Sequence, residues 1–269
     1  MNHQRLPDVL DAAIQAQQSG EGLAIATVIR DSVAGVEPGR RMLIWIDRSE
    51  GRIDPRLDSA ILADGRAAIE SGRSGVRSYA FESGASVGMQ GGDLDVFFDL
   101  IARPSMLVIV GAGHIAVPLA RLGSLLDFRV TVLDDRPEFA TPERFPDASQ
   151  IIVGPYGQTL DSLPSDRDSY VVLVTRGHVH DAACLEVMLK RDAGYVGMIG
   201  SRTRVRTVMR HLAATGYPIE RLRLIHAPIG LDLGARTPAE IALSIMAEIV
   251  KVRRGGTGES MALTEKLSV

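Results

Sequence analysis

MLVIVGAGHIA, residues 106–116, is the stretch that decides the fold of the C-terminal part of this chain. Its first five residues are apolar and predict a buried strand, which is followed at once by the loop G-x-G-x-x-A. In such a loop Gly111 permits a tight turn, Gly113 lets a phosphate approach the backbone, and Ala116 lets the next helix pack on the sheet. The sequence therefore predicts a Rossmann-type nucleotide-binding domain with its phosphate site in this loop.

Downstream, short apolar runs alternate with helical patterns. Strands that are apolar throughout and separated by helices indicate a parallel sheet covered on both faces. Further strands are predicted at 129–133, 150–153, 170–174 and 195–199, and helices at 181–191, 202–214 and 238–254. Thr237 and Glu240 have capping-box spacing at the start of the last helix. The fold class expected is α/β, a Rossmann-like parallel sheet with helices on both faces, plus a smaller N-terminal α+β domain.

The N-terminal region follows a different pattern. Helical spacing at 5–18 and 57–69 is mixed with strand-like runs at 23–30, 41–46, 76–81 and 94–101. This mixture is typical of an α+β domain. We therefore predict an N-terminal domain at 1–103, a Rossmann-type domain at 104–254 and a loose C-terminal tail at 255–269.

Composition excludes several function classes. The chain has 269 residues, of which 45% are hydrophobic and 23% charged, with a formal net charge of −3. Nucleic-acid-binding domains usually carry a basic excess, so no nucleic-acid partner is expected. The single cysteine excludes an intrachain disulfide and fits a reducing compartment. Because we find no secretory signal and no long apolar run, we expect a cytoplasmic protein that is not in the membrane.

An acidic pair follows the second strand of the predicted Rossmann domain. Asp134 and Asp135 lie about 20 residues after the glycine loop, where a ribose-binding carboxylate is expected. Asp134 favours a cofactor with a free ribose 2′-hydroxyl. Arg136 can instead pair with a 2′-phosphate, so the choice between the two cofactor types stays open.

Two further strand ends carry polar groups. Ligands of doubly wound sheets bind beyond the carboxyl ends of the strands. Residues Thr175, Arg176, His178 and His180 follow one strand, and Asp181 is interpreted either as a helix N-cap or as a ligand-contacting residue. The His-x-His-Asp sequence here lacks a clear third and fourth ligand, so no metal site is predicted.

The next strand ends in Gly200, Ser201 and Arg202. Ser201 is interpreted either as facing a ligand or as capping the helix that follows. The long loop at 226–234 is a candidate lid or interface.

Together these stretches resemble the xanthine dehydrogenase accessory protein (XdhC/CoxI) family. The motifs that carry the resemblance lie in the predicted Rossmann domain: 110–114, Asp134 with 136–146, Gly177 and His178 with Asp181, 195–202 and 226–238. The resemblance implies a factor that binds the molybdenum cofactor, either molybdopterin or its dinucleotide form. It also implies that the factor protects the cofactor, supports its sulfuration and hands it to a molybdenum hydroxylase apo-enzyme. The implied partners are that apo-enzyme, a cysteine desulfurase and a second copy in a homodimer.

The N-terminal half departs from the family pattern. Family members usually carry cysteine in two stretches that correspond here to 51–58 and 87–92, and neither contains one. Gln90 stands where the second cysteine is expected. Cys184 lies in a predicted helix and replaces neither, so a thiolate that binds molybdenum or relays sulfur is missing.

The sequence therefore predicts an accessory protein for a molybdenum hydroxylase of the xanthine dehydrogenase type, more in keeping with a cofactor-insertion factor than with an enzyme. The alternative is an NAD(P)-dependent oxidoreductase or a nucleotide-sensing regulator, with NAD(P) or FAD in the site. Hydride transfer would need an acid from His114, His178 or His226, and none has a spacing that indicates catalysis. The predicted cofactor-binding residues are Gly111, Gly113, His114, Ile115, Asp134, Asp135, Arg136, Thr175, His178, Gly200, Ser201 and Arg202.

Overall fold

The structure, a computed structural model, describes residues 6–32, 35–101 and 103–262, and the side chains of 6–8, 178 and 179 lie outside that description. The chain divides into two compact units, Met1–Pro104 and Ser105–Val269. The confirmed fold class is α/β, with a parallel sheet flanked by helices and a separate antiparallel sheet.

The first unit is built on an antiparallel sheet of six strands in the order β3-β2-β1-β6-β4-β5. Its elements are α1 (Leu6–Ser19), β1 (Leu23–Asp31), β2 (Arg41–Ile44), β3 (Ser49–Gly51), α2 (Asp58–Ser71), β4 (Gly75–Ala80), β5 (Ala85–Gly88) and β6 (Leu94–Ile101). Side chains alternate between the faces of a strand, so Ala24 and Ala26 pack in the cluster that includes Ile61 of α2. Leu23 and Ile25 pack on the other face, with Val9 of α1.

The second unit is a parallel sheet of six strands. Its elements are β7 (Met106–Val110), α3 (Ala116–Leu125), β8 (Arg129–Asp134), β9 (Gln150–Val153), α4 (Tyr156–Ser162), β10 (Ser169–Leu173), α5 (His178–Met188), β11 (Tyr195–Met198), α6 (Arg202–Ala214), α7 (Ile219–Leu222), β12 (Ile225–His226) and α8 (Pro238–Arg254). The strand order β9-β8-β7-β10-β11-β12 is, counted along this unit, 3-2-1-4-5-6. That is the order of dinucleotide-binding Rossmann sheets.

Helices cover both faces of the parallel sheet. Leu107 and Ile109 of β7 pack in one apolar cluster with residues of α3 and α8. Val108 and Val110 pack in a second cluster, which contains residues of α4, α5 and α6. The burial of both sets explains why this strand is apolar throughout.

The capping box at the start of α8 is confirmed. Thr237 Oγ1 accepts a hydrogen bond from the backbone N–H of Glu240 at 3.3 Å, and the Glu240 side chain accepts one from the Thr237 N–H at 2.8 Å. Helix α5, in contrast, begins at His178, three residues earlier than predicted. The interpretation of Asp181 as an N-cap is therefore wrong, because Gly177 is the N-cap and Asp181 lies in the first turn.

The predicted C-terminal tail is described only in part. Residues 255–262 form no helix or strand, and the rest of the tail, 263–269, lies outside the described residues. Among the residues that the structure describes, no helix is both long and apolar enough to cross a membrane.

Candidate nucleotide-binding site

The candidate site lies at the carboxyl edge of the parallel sheet. After β7 the chain forms β8 and β9 on one side of that strand, and it then crosses over to form β10 on the other side. Strands β7 and β10 are therefore neighbours at the point where the strand order reverses. The loops that leave these two strands diverge, and the crevice between them is where Rossmann sheets bind ligands.

The two glycines of the phosphate loop have different roles. Gly111 has a φ of +107°, and a Cβ atom on it would lie 2.7 Å from the backbone oxygen of Val174, which requires glycine. A Cβ atom on Gly113 would meet nothing within 4 Å. Gly111 therefore allows the loop to pass β10, whereas Gly113 borders open space.

The loop also presents free backbone donors. In the described part of the chain, the N–H groups of Gly113, His114 and Ile115 donate to no protein acceptor, and the first bond of α3 runs from Leu119 N–H to Ile115 O at 3.1 Å. His114 is exposed and Ile115 half-buried. Unpaired donors next to the positive end of a helix dipole favour an anion.

The structure places Asp134 inside the loop. The side chain is fully buried, and its carboxylate accepts hydrogen bonds from the Ala112 N–H at 2.6 Å, from the Arg136 N–H at 3.0 Å and from Arg136 Nε at 2.9 Å. Burial by itself raises the pKa of a carboxyl group, but the bonds from Arg136 and Ala112 outweigh it and lower the pKa of Asp134. Because both oxygens are engaged and none of the side chain is exposed, the expected ribose contact is not open to Asp134 in this conformation.

Arg136 is engaged in the same way. Its guanidinium pairs with Asp134, is 14% exposed, and lies 3.7 Å from the centre of the Phe139 ring. The arginine therefore neutralises the buried carboxylate and is not free to receive a 2′-phosphate. The neighbouring Asp135 is 37% exposed and is the carboxylate at this strand end that a ligand can reach.

A small pocket opens beside Asp135. It has a volume of about 190 Å³ and is lined by Asp135, Tyr156, Arg176, Gly177 and His180. The Tyr156 and His180 rings meet edge to face, with centroids 5.1 Å apart. Of these residues only Asp135 belongs to the cofactor-binding set predicted from the sequence. Tyr156 was not predicted as a site residue, because it begins α4, a short helix that the apolar pattern does not indicate.

Thr175 and Asp181 form a buried network with Arg204. The Thr175 hydroxyl donates to Asp181 Oδ1 at 2.5 Å, and Arg204 Nε donates to Asp181 Oδ2 at 2.9 Å. Thr175 is 5% exposed and Asp181 fully buried. These groups tie the end of β10 to α5 and α6; Thr175 and Asp181 do not face open solvent, whereas the Arg204 side chain is 27% exposed. Arg204 could not be recognised from sequence, because nothing in its helix indicates a partner 23 residues away.

Of the remaining predicted residues, Gly200, Ser201 and Arg202 lie one strand further along the edge, after β11. Ser201 caps α6, where its Oγ accepts a hydrogen bond from the Arg204 N–H at 3.2 Å, so its interpretation as a cap is confirmed. Gly200 is half-buried and Arg202 exposed beside it. His178 begins α5, but its side chain lies outside the described residues.

One carboxylate of α8, that of Glu248, contacts the long loop after β12 and the two strands that precede it. Glu248 accepts hydrogen bonds from the Tyr195 hydroxyl at 2.5 Å and the Gly230 N–H at 2.9 Å, and its other oxygen lies 3.5 Å from Nδ1 of His226. Burial alone would raise the pKa of Glu248, but the bonds from His226, Tyr195 and Gly230 lower it to about 2. His226 also stacks on Tyr195 at 4.5 Å between ring centres. The network orders the loop that was a candidate lid or interface.

The described residues offer the candidate site neither a metal-binding cluster nor an accessible thiol. Among the described residues, no group of three or more histidine, cysteine, aspartate or glutamate side chains is arranged to bind a metal ion. Cys184 is fully buried, and burial together with the nearby Asp181 raises the pKa of its thiol to about 12. This thiol is therefore inert in the folded chain.

Comparison with known proteins identifies both units. The family model described as the XdhC Rossmann domain matches residues 107–249, and that of the XdhC and CoxI family matches 16–80. Over 160 residues the chain is 31% identical to a protein of Bacillus subtilis (strain 168) that is named as a probable xanthine dehydrogenase subunit. That match covers 60% of this chain and 46% of the relative. It is also 31% identical, over 172 residues, to the uncharacterized protein YqeB of Escherichia coli (strain K12), covering 64% of this chain and 31% of that relative.

The chain thus spans less than half the length of either curated relative. A crystal structure described as that of a xanthine dehydrogenase from Bacillus halodurans has a similar fold over 96% of this chain and 98% of its own, with a TM-score of 0.55 and 20% identity. At that identity the likeness concerns the fold alone. The Rossmann-domain match covers more than half of the sequence, and the chain therefore belongs to the XdhC and CoxI family.

Proposed function

We propose that this protein is an accessory factor for a molybdenum hydroxylase of the xanthine dehydrogenase type, and that it binds the molybdenum cofactor at the carboxyl edge of its parallel sheet. Membership of the family supports the role. So does the name of the Bacillus subtilis relative, which describes a probable xanthine dehydrogenase subunit. The target apo-enzyme, a cysteine desulfurase and a second copy of the chain are its proposed partners.

One observation carries the proposal: the loop after β7 has free N–H groups on Gly113, His114 and Ile115, and the space in front of Gly113 is open. The molybdenum cofactor is a pterin that ends in a phosphate or a dinucleotide. An anion fits these donors, because their partial positive charge adds to that of the α3 helix dipole. The three amides would therefore bind the phosphate of the cofactor.

The donor set also limits what the chain does with the cofactor. When bound, the cofactor supplies the molybdenum centre that the hydroxylase needs. Within the described residues, this protein offers no metal-ligating cluster, and its single thiol is buried and protonated at neutral pH. We therefore assign it binding, protection and transfer of the cofactor, and we assign sulfur delivery to a partner.

A second candidate function rests on the strand order. The order 3-2-1-4-5-6 is that of sheets that bind NAD(P) or FAD, which is the basis for an oxidoreductase or a nucleotide-sensing regulator. Against it, the carboxylate that would bind the adenosine ribose is buried and engaged with Arg136. The accessory role is therefore the better supported of the two.

The experiment measures the affinity of molybdopterin, which carries a phosphate, for the full chain and for Gly113→Val. A valine side chain would fill the space that a phosphate needs to reach the amides, so we expect the affinity to fall at least about tenfold, or 1.4 kcal/mol. Gly256→Val is the matched control. Gly256 also has open space at its Cβ position, has no positive φ, and lies just beyond α8. Equal affinity of Gly113→Val and the wild type would overturn the placement of the site.

A further inference from the structure

The pocket beside the phosphate loop has a chemistry of its own. It is formed by Asp135 after β8, Tyr156 at the start of α4, and Arg176, Gly177 and His180 after β10. Sites for whole drug-sized ligands usually occupy about 300–1,000 Å³. At about 190 Å³ this pocket has room for one planar ring system and not for a whole dinucleotide.

Asp135 supplies the acceptor in this pocket. Its carboxylate is 37% exposed and lies 3.7 Å from Arg136 Nε, which is longer than a hydrogen bond. Burial raises the pKa of Tyr156, and the nearby Asp134 charge and a hydrogen bond to Asp135 raise it further, so this hydroxyl stays a neutral donor. An ionised carboxylate has about four lone-pair sites and can receive two parallel N–H groups in addition to the tyrosine.

Arg176 supplies the donor. Its side chain is exposed, and among the described residues it has no ion-pair partner; its guanidinium lies 6.0 Å from the centre of the Phe139 ring. A free guanidinium donates readily to a carbonyl oxygen. The rings of Tyr156 and His180 add aromatic surface against which a planar heterocycle can pack.

We propose that this pocket binds the 2-amino-4-oxopyrimidine edge that pterins and guanine share. That edge presents an amino group and a ring N–H side by side, which suit Asp135, and a carbonyl oxygen next to them, which suits Arg176. Adenine presents a ring acceptor in place of the ring N–H, and this acceptor would face the carboxylate unfavourably. The inference rests on the proposed function and specifies which part of the cofactor lies beside the phosphate loop.

The experiment measures binding of neopterin by its fluorescence, and of GMP and AMP by competition, to the full chain. We expect neopterin or GMP to bind at least about tenfold more tightly than AMP, and Asp135→Asn to remove that preference. Asp161→Asn is the matched control, since Asp161 is on α4 and its carboxylate is 71% exposed. Preferential binding of neopterin would identify the pterin as the source of the edge, and preferential binding of GMP the guanine of a dinucleotide.

Arg176→Gln provides a second variant that does not depend on a buried group. Because Arg176 is exposed, the variant should unfold at the wild-type temperature while its affinity for the preferred ring falls severalfold. Equal affinity for GMP and AMP, or unchanged ring binding in both Asp135→Asn and Arg176→Gln, would overturn the proposal. If Asp135→Asn binds molybdopterin with wild-type affinity, the assignment of the ring to this pocket is wrong and the proposed accessory function stands. If the wild-type chain prefers neopterin or GMP to AMP but does not retain molybdopterin, the assignment of the pocket stands and the proposed accessory role is wrong.

Discussion

The two sheets of this protein distribute their polar side chains in opposite ways. In the antiparallel sheet successive strands end at opposite edges, and polar contacts run across neighbouring strands, as between Arg30 and Asp95 at 2.6 Å. In the parallel sheet all six strands end at one edge, and Asp134, Asp135 and Thr175 all lie at that edge. The parallel topology of the second unit, more than its composition, therefore brings its polar side chains to one edge of the sheet.

The burial of charge separates the two units as well. Arg48 and Glu21 of the first unit form a pair in which both side chains are nearly half exposed, 45% and 47%. Asp134 and Asp181 of the second unit are fully buried and engaged by arginine. Carboxylates of the second unit therefore order the loops around the candidate site, whereas this pair in the first unit is solvated.

The largest expected effect concerns the thiol. Residues 1–104 contain no cysteine, and the second unit buries the single one, Cys184. A pKa raised from 9.0 to about 12 leaves about a thousandfold less thiolate at pH 8, so alkylation by iodoacetamide should slow by at least that factor. Mass spectrometry of labelled protein measures the rate, with the urea-unfolded chain as the control. If the folded chain were labelled at the rate of a free thiol, Cys184 would be a reactive thiol, and the second unit would have a residue that can handle sulfur.

Breaking the buried network should cost more than breaking the exposed pair. Asp181→Ala removes the carboxylate that Arg204 and the Thr175 hydroxyl both donate to, and we expect a loss of about 3–5 kcal/mol in the free energy of unfolding. Glu21→Gln should leave the urea midpoint unchanged, because the pair with Arg48 is exposed. Urea unfolding of the two variants measures both. Similar losses of unfolding free energy in the two variants would contradict the stated difference in charge burial between the two units.

Glu248 makes the second unit sensitive to acid. Its pKa is lowered from 4.5 to about 2, so its contribution to stability is complete above pH 4.5 and is lost as the pH falls from 4.5 towards 2. The lowered pKa corresponds to about 3 kcal/mol. We expect Glu248→Gln to be less stable than the wild type by about that amount at pH 7, and the difference to shrink below pH 4.5. Urea unfolding between pH 3 and pH 7 measures it, and a difference that is independent of pH would contradict the prediction.

The two loop glycines give the smallest expected change in stability and the sharpest contrast. Gly111→Ala places a Cβ atom against the Val174 backbone at a positive φ, and the backbone strain alone should cost about 1–3 kcal/mol. Gly113→Ala meets open space and should leave stability unchanged within about 0.5 kcal/mol. Thermal unfolding of both variants measures the contrast. A large loss for Gly113→Ala would mean that this glycine is structural and does not border a ligand.

The sequence predicts the elements that bury apolar runs. Strands β7 and β9 and helix α6 have the predicted bounds, because their apolar residues face a core. Strand β3, in contrast, was not predicted: all three of its residues are exposed and it has no apolar pattern to detect. Helix α4 has two buried residues in seven, which is too short a pattern to stand out.

The candidate site could be predicted in position but not in detail. The glycine loop and the strand ends locate it, because both follow from apolar runs and from the geometry of parallel sheets. Its internal pairing could not be predicted, since Asp134 meets the N–H of Ala112 across 22 residues and Asp181 meets Arg204 across 23. Such contacts depend on the packing of loops and helices, which local patterns do not record.

Native mass spectrometry can show whether the edge of the parallel sheet binds the molybdenum cofactor. The purified protein would be measured alone and after mixing separately with molybdenum cofactor, NAD, NADP and FAD. We expect the wild-type chain to retain the molybdenum cofactor and Gly113→Val not to retain it. Retention of a nicotinamide or flavin nucleotide, without retention of the molybdenum cofactor, would contradict this expectation.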